Sequence, residues 1–132
     1  MKVSIKKQAE GSGFWYRLEV RDHAIDSSEV CNATSALVYG LIGYLYGRKD
    51  ITAGQKVSED PSYPWATVWC HTDDMDEGVD AVWLMVTMTL LQMEKSYPRS
   101  MRVTGYMDMI PEGEKLEIVY LNELPADNAV QV

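Results

Sequence analysis

The sequence predicts an α+β fold in which two helices pack on a β-sheet, with the elements in the order β-β-α-β-α-β. Apolar and polar residues alternate in four short stretches, as they do in strands that bury one face. In two longer stretches apolar residues recur every three or four positions, as in helices that pack on one side. The length of 132 residues and the 46% of hydrophobic residues suit a single domain, residues 1–132, with its own core.

The chain opens with a predicted β-hairpin. Residues 2–7 and 14–21 alternate apolar with polar side chains, and the glycine-containing turn 10–13 joins them. His23 comes just after the second strand. A side chain at a strand end is held by the sheet and stays accessible, so His23 is a candidate functional residue.

The first helix is predicted from Ser28 to Gly47, where a glycine stops the apolar repeat. We expect Ser28 to be the N-cap, because its hydroxyl can accept a hydrogen bond from an early helix amide. Cys31 then stands at the third helical position, where the helix dipole and the unpaired amides favour a thiolate. The alternative is a cysteine that packs in the core as a small apolar residue.

The polar stretch 48–64 follows this helix and contains one glycine and two prolines. We expect an irregular connection there rather than a helix or a strand. A connection of this length either borders a functional groove or is loosely ordered.

Residues 65–71 predict the third strand, with Trp69 and His71 on one face and Val68 and Cys70 on the other. Four residues of the types that bind metals lie close together: Cys70, His71, Asp73 and Asp74. Neighbours on a strand point to opposite faces, so Cys70 and His71 cannot easily hold one ion. We therefore expect no metal and no cofactor, while a pairing of Cys31 with His71 stays open.

The second helix is predicted from a capping box, Asp74 to Glu77, to about Ser96. Its apolar residues occupy more than one side, so we expect the sheet on one side and the partner subunit of a homodimer on another. The uncharged run 81–93 is shorter than the ~20 residues that a membrane span needs, so we expect no membrane partner.

The C-terminal part of the chain is predicted to complete the sheet. Residues 101–107 form the fourth strand, and a turn leads to a possible extra strand at 115–121. Residues 108–132 are thus predicted to form a C-terminal hairpin and a tail.

Composition limits the partners and the compartment. The net charge of −8 argues against a nucleic-acid partner, which normally requires basic patches, and favours a basic protein or peptide. The chain shows no signal-peptide pattern, and its two cysteines do not suggest a disulfide framework. We expect a protein of the reducing cytoplasm.

The pattern of His23-Ala24, a short loop, Val30-Cys31 and Ser35 resembles the ribosomal-processing cysteine protease family of bacteria. The spacing of cysteine and serine is C-x-x-x-S, as in that family. Tyr97-Pro98, placed between the second helix and the next strand, resembles it too. The resemblance covers residues 2–107.

This resemblance implies a cytoplasmic endopeptidase, acting as a homodimer, that removes the N-terminal extension of the large-subunit ribosomal protein L twenty-seven and cuts after aromatic residues. Cys31 would attack the scissile carbonyl, and His23 would act as base and then as acid. Main-chain amides at the start of the first helix are the natural oxyanion donors. Since ribosomal proteins are basic, an acidic enzyme would attract such a substrate by long-range steering.

Four further residues are candidates for supporting roles. Asp22 or Asp26 would orient the imidazole, and Ser35 would hold the nucleophile or the substrate, or bond back to the carbonyl four residues before it. Compared with the family, Asp22 replaces a glycine, Ser28 replaces an acidic residue, and the loop before the cysteine is several residues shorter. These departures leave open a non-catalytic or divergent member that acts as a dimeric protein-binding module.

Overall fold

The computed structural model describes residues 1–24, 27–58, 60, 62 and 64–106. Along the chain the elements are β1 (Lys2–Glu10), β2 (Gly13–Arg21), α1 (Ser28–Gly47), β3 (Thr52–Val57), β4 (Trp65–Thr72), α2 (Glu77–Ser96) and β5 (Arg102–Tyr106). One mixed sheet carries two helices, so the predicted α+β fold is confirmed.

β2 lies at the centre of the sheet, whose strand order is β3-β4-β2-β1-β5. β2 runs antiparallel to both of its neighbours, and β5 is parallel to β1. Arg21, the last residue of β2, pairs with Lys2 on one side and with Trp65 on the other. The segment that carries His23 therefore starts from a point fixed by two neighbouring strands.

Both helices cover the same face of the sheet. Their buried residues meet those of the strands in one apolar core, whose members include Val3, Ile5, Leu18, Val68, Leu41, Leu45, Val86 and Leu90. The indole of Trp83 stacks on the ring of Tyr16 with centroids 5.5 Å apart. On the other face, the rings of Trp69 and His71 contact Trp15, which confirms the predicted alternation of the third strand.

A charged cluster is buried where α2 meets the hairpin. The Lys7 ammonium is 3.2 Å from a carboxylate oxygen of Asp80, and the hydroxyl of Tyr16 donates a hydrogen bond to the same carboxylate. Burial and the neighbouring Asp80 raise the pKa of Tyr16. Because an unpaired buried charge is costly, this cluster fixes the start of α2 against β1 and β2.

α1 has the predicted bounds, but its N-cap is Ser27 and not Ser28. Ser27 has extended backbone angles (φ −154°, ψ 107°), and its hydroxyl accepts a hydrogen bond from the amide of Val30 at 3.2 Å. Ser28 is the first helical residue, which makes Cys31 the fourth helical residue instead of the third. The predicted cap was wrong because two adjacent serines offer the same chemistry and the backbone selects the first.

The predicted irregular connection 48–64 was wrong over part of its length. β3 (Thr52–Val57) pairs antiparallel with β4 at the edge of the sheet. This strand is mostly exposed and therefore has no clear apolar alternation. Gly54 fits because a Cβ at this position would collide with the indole of Trp69.

α2 ends at Ser96 as predicted but begins later than the predicted capping box. Its N-cap is Asp76 and not Asp74, and the Asp76 carboxylate accepts a hydrogen bond from the amide of Val79 at 2.9 Å. Arg48 binds the same carboxylate at 2.5 Å, which selects Asp76 and ties the end of α1 to the start of α2. No helix within the described ranges has the length and hydropathy of a membrane span.

The fourth predicted strand is found as β5, with bounds Arg102–Tyr106. The possible extra strand at 115–121 and the predicted tail lie outside the described residues.

Candidate active site

The end of β2 and the first turns of α1 bring His23 and Cys31 together. The sulfur of Cys31 lies 4.0 Å from Nδ1 of His23. The imidazole is exposed, and the thiol is half-buried. Strand, short connection and helix thus place a thiol beside an imidazole, which is the pair that thiol-dependent hydrolysis needs.

A backbone amide also contacts the thiol. The N–H of Ala24 donates to the sulfur of Cys31 at 3.2 Å. The methyl side chain of Ala24 is buried in the core, so it anchors the segment that carries this amide. Sequence reasoning pointed to amides of the helix start as donors and missed this one, because its direction depends on how the chain leaves β2.

Asp22 adopts a left-handed backbone conformation, with φ 67°. Its amide donates to the carbonyl of Pro64 at 2.9 Å, which ties the end of β2 to the approach of β4. Glycine takes this conformation without strain, and aspartate tolerates it better than most residues.

The four predicted supporting residues differ in where they lie relative to His23 and Cys31. Within the described part of the chain, the Asp22 carboxylate makes no hydrogen bond to the imidazole, and Asp26 lies outside it. Ser35 is exposed and lines the same cavity as Cys31. Ser28 is exposed and does not cap the helix. The geometry groups Ser35 with the thiol and leaves the group that orients the imidazole unassigned.

A cavity of about 210 Å³ opens beside the thiol and the imidazole. It lies between α1 and the β3–β4 edge of the sheet, and its apolar lining includes Val38, Ile42, Val57, Pro64, Ala66 and Val68. Val57 and Gln55 come from β3, the strand that sequence reasoning missed. The segment after α1 thus borders the cavity, in line with the first of the two predicted alternatives.

Tyr97 fixes the start of α1 from the end of α2. Its hydroxyl donates to the Glu29 carboxylate at 2.7 Å, and this bond raises the pKa of Tyr97. Glu29 belongs to the first turn of α1, two residues before Cys31. The tyrosine of the Tyr-Pro pair therefore helps to position the helix that carries the thiol.

The second cysteine and the second histidine lie elsewhere. Cys70 is fully buried, accepts a hydrogen bond from the Trp83 indole at 3.3 Å, and has a pKa that burial raises to about 12. His71 lies on the outer face of the sheet, 3.7 Å from a carboxylate oxygen of Asp73. Over the described ranges, no three His, Cys, Asp or Glu side chains are grouped to hold a metal ion.

These observations define the class of the molecule: a small α+β chain with a thiol and an imidazole where its central strand leads into its first helix. No family model matches the chain, and no curated protein does. Solved structures do match. The ribosomal processing protease Prp from S. aureus, in complex with a covalently linked product peptide, has a TM-score of 0.57 at 17% identity, covering 79% of this chain and 97% of that one.

Two further structures agree with this match. SMU.848 from Streptococcus mutans has a TM-score of 0.55 at 16% identity, covering 79% of this chain and 95% of that one. Prp from S. aureus with a substrate peptide has a TM-score of 0.53 at 16% identity, with 79% and 97% covered. The chain has the Prp fold, which confirms the resemblance at the level of structure.

Proposed function

We propose that this chain is a cysteine endopeptidase of the Prp type. The observation that supports the proposal best is the 4.0 Å approach of the Cys31 sulfur to Nδ1 of His23 at the mouth of an apolar cavity. The shared fold with Prp, whose structures hold a substrate peptide or a product peptide, agrees with a peptide substrate here.

The reaction follows from the positions of these groups. His23 accepts the thiol proton at Nδ1, and the Cys31 sulfur attacks the scissile carbonyl carbon to give a tetrahedral oxyanion. Amides at the start of α1 are the donors for that oxyanion, whereas the Ala24 amide is engaged by the Cys31 sulfur. The carbon–nitrogen bond breaks as His23 returns the proton to the leaving amine. Water, deprotonated by His23, then hydrolyses the thioester.

The proposed substrate is the N-terminal extension of a basic ribosomal protein, the L twenty-seven protein being the first candidate. The S. aureus neighbour is a ribosomal processing protease. The apolar cavity beside Cys31 suits an apolar or aromatic side chain next to the bond that is cut. The two free thiols fit a reducing cytoplasmic compartment.

The proposal includes a homodimer formed through α2. Met85 and Met88 are 54% and 41% exposed, and they share one side of the helix with the exposed Ala81. An exposed apolar stripe of this kind is typical of a contact surface. Sedimentation equilibrium at micromolar concentration should show a dimer, and Met88→Glu should shift it towards the monomer. A clean monomer at that concentration would exclude this part of the proposal.

The test of the proposed reaction is the cleavage of a synthetic peptide that spans the N-terminal extension, followed by mass spectrometry. Cys31→Ala and His23→Ala should each lower the rate by more than about a hundredfold. Cys70→Ala and His71→Ala are the matched controls and should retain the rate. Cleavage that survives Cys31→Ala contradicts the mechanism. Peptide binding without cleavage by the folded wild type favours the non-catalytic binding module.

A further inference from the structure

The negative charge of this protein is unevenly distributed along the chain. Residues 107–132 contain six of the 20 acidic residues and only one of the 12 basic ones. The charges of the preceding residues are much closer to balance. The net charge of −8 therefore does not describe the surface of the sheet, which residues before 107 build.

The outer face of the sheet, opposite the two helices, carries mainly basic side chains. Strand pairing places six of them on that face: Lys2, Lys6, Arg17, Arg21, Lys56 and Arg102. Lys6 stands directly opposite Arg17, and Lys2 stands directly opposite Arg102. Like charges in opposed positions destabilise a sheet, so this face favours a bound anion.

Acidic side chains compensate these cations only in part. Lys2, Lys6 and Arg102 form no ion pair with any described residue. Glu19, in the middle of the face, pairs with Arg17 at 2.8 Å, but it is only 3% exposed, and its second carboxylate oxygen has no hydrogen-bond partner among the residues that the structure describes. Burial raises the pKa of Glu19 to about 7, so near neutral pH this carboxyl neutralises less of the positive charge around it.

Aromatic rings lie among these cations. The Trp15 ring is 5.8 Å from that of Trp69 and 4.6 Å from that of His71, and Trp15 is 38% exposed. Trp69 lies against Gly54 of β3, where no side chain separates the indole from the strand. A groove of about 450 Å³ runs across this region, bordered by Trp15, Trp69, Lys6 and Arg17. Glu10 lies at the same groove, where its carboxylate accepts a hydrogen bond from the Trp15 indole at 2.6 Å.

We propose that this outer face binds a single-stranded polynucleotide. Lysine and arginine side chains contact the phosphates, while bases stack on the exposed ring of Trp15 and on the partly exposed ring of Trp69. An acidic peptide would use the cations but not the aromatic planes, and duplexes bury the bases that need to stack. The expectation of no nucleic-acid partner rested on total charge, whereas binding depends on local charge. The face is opposite α1, so the binding is independent of the proposed protease reaction.

The test is fluorescence anisotropy of the full chain with labelled oligonucleotides of about 12 nucleotides, as RNA and as DNA of one sequence. Lys6→Glu combined with Lys56→Glu should weaken binding at least about tenfold and reduce the salt dependence of affinity. The matched control is Lys49→Glu with Lys95→Glu, which changes the same charge away from this face and should bind as the wild type does. Trp15→Leu should weaken binding about tenfold.

The comparison of the RNA and DNA probes identifies the sugar that is preferred. Cys31→Ala should bind as the wild type does, so a failed protease proposal leaves this one testable. Four results would overturn the proposal. The first is that no oligonucleotide binds at low salt, and the second is that both double lysine variants lose affinity to the same extent. The other two are that a polyglutamate peptide binds as tightly as the oligonucleotides, or that a duplex binds more tightly than a single strand. Circular dichroism and the melting temperature of each variant verify the fold.

Discussion

The left-handed backbone at Asp22 can be tested by replacing this residue with glycine and with alanine. An L-residue in this region of φ and ψ costs roughly 1–2 kcal/mol, a cost that glycine avoids. Glycine in turn loses roughly 0.5–1 kcal/mol more conformational free energy on folding than alanine does. Since Asp22 is exposed, other side-chain terms are small. We expect Asp22→Gly to be about 0.5–1 kcal/mol more stable than Asp22→Ala.

The measurement is the free energy of unfolding from urea titration, supported by melting temperatures that should differ by about 2–5 °C. The matched control is Ala36→Gly on the exposed side of α1, where glycine should cost about 1 kcal/mol relative to alanine. Relative to alanine, glycine should therefore raise the free energy of unfolding at position 22 and lower it at position 36. If Asp22→Ala is as stable as Asp22→Gly or more stable, the left-handed backbone at this residue does not carry the strain that the prediction assigns to it.

Three further predictions concern single side chains. Because burial raises the pKa of Glu19 from 4.5 to about 7, the folded state holds a proton that the unfolded state loses, so this residue lowers stability as pH rises between these values. The free energy of unfolding of Glu19→Gln in urea should equal that of the wild type near pH 4.5 and exceed it by at most about 3 kcal/mol at pH 8. A difference between the two proteins that does not change with pH would contradict this. Asp76→Ala should lose about 1 kcal/mol in urea unfolding with the N-cap, whereas Asp76→Asn should lose less because the amide oxygen still caps; equal losses would assign the effect to Arg48 instead. Iodoacetamide should modify only Cys31 in the native protein, as peptide mass spectrometry can show, and native labelling of Cys70 at a similar rate would refute its burial.

The helices could be predicted from local sequence, but their caps could not. The apolar repeat locates both helices because their buried faces dictate it. Ser27 and Ser28 are chemically equal candidates, and the extended φ of Ser27 decides between them. At α2, Arg48 lies 28 residues from Asp76 along the chain, so the contact that favours this cap is a tertiary one.

β3 was missed for a different physical reason. It is an edge strand, so it has a single neighbour and little buried surface to impose alternation. Its Gly54 weakens a strand prediction, although the position excludes a larger residue because of Trp69. The contact between these two residues exists only after β3 and β4 have paired. The contribution of β3 to the cavity wall could therefore not be predicted from the sequence.

The proximity of His23 to Cys31 was expected from the resemblance to the protease family, because a cysteine on an amphipathic helix is by itself more often a small buried apolar residue. The shorter loop is a departure from the resembling family that need not separate them, since the Ala24 amide reaches the Cys31 sulfur at 3.2 Å. The buried methyl of Ala24 holds that amide in place. The contact between this amide and the sulfur is therefore present despite the shorter loop. If the chain is a protease, its differences from Prp should lie in the peptides that it accepts before they lie in the reaction.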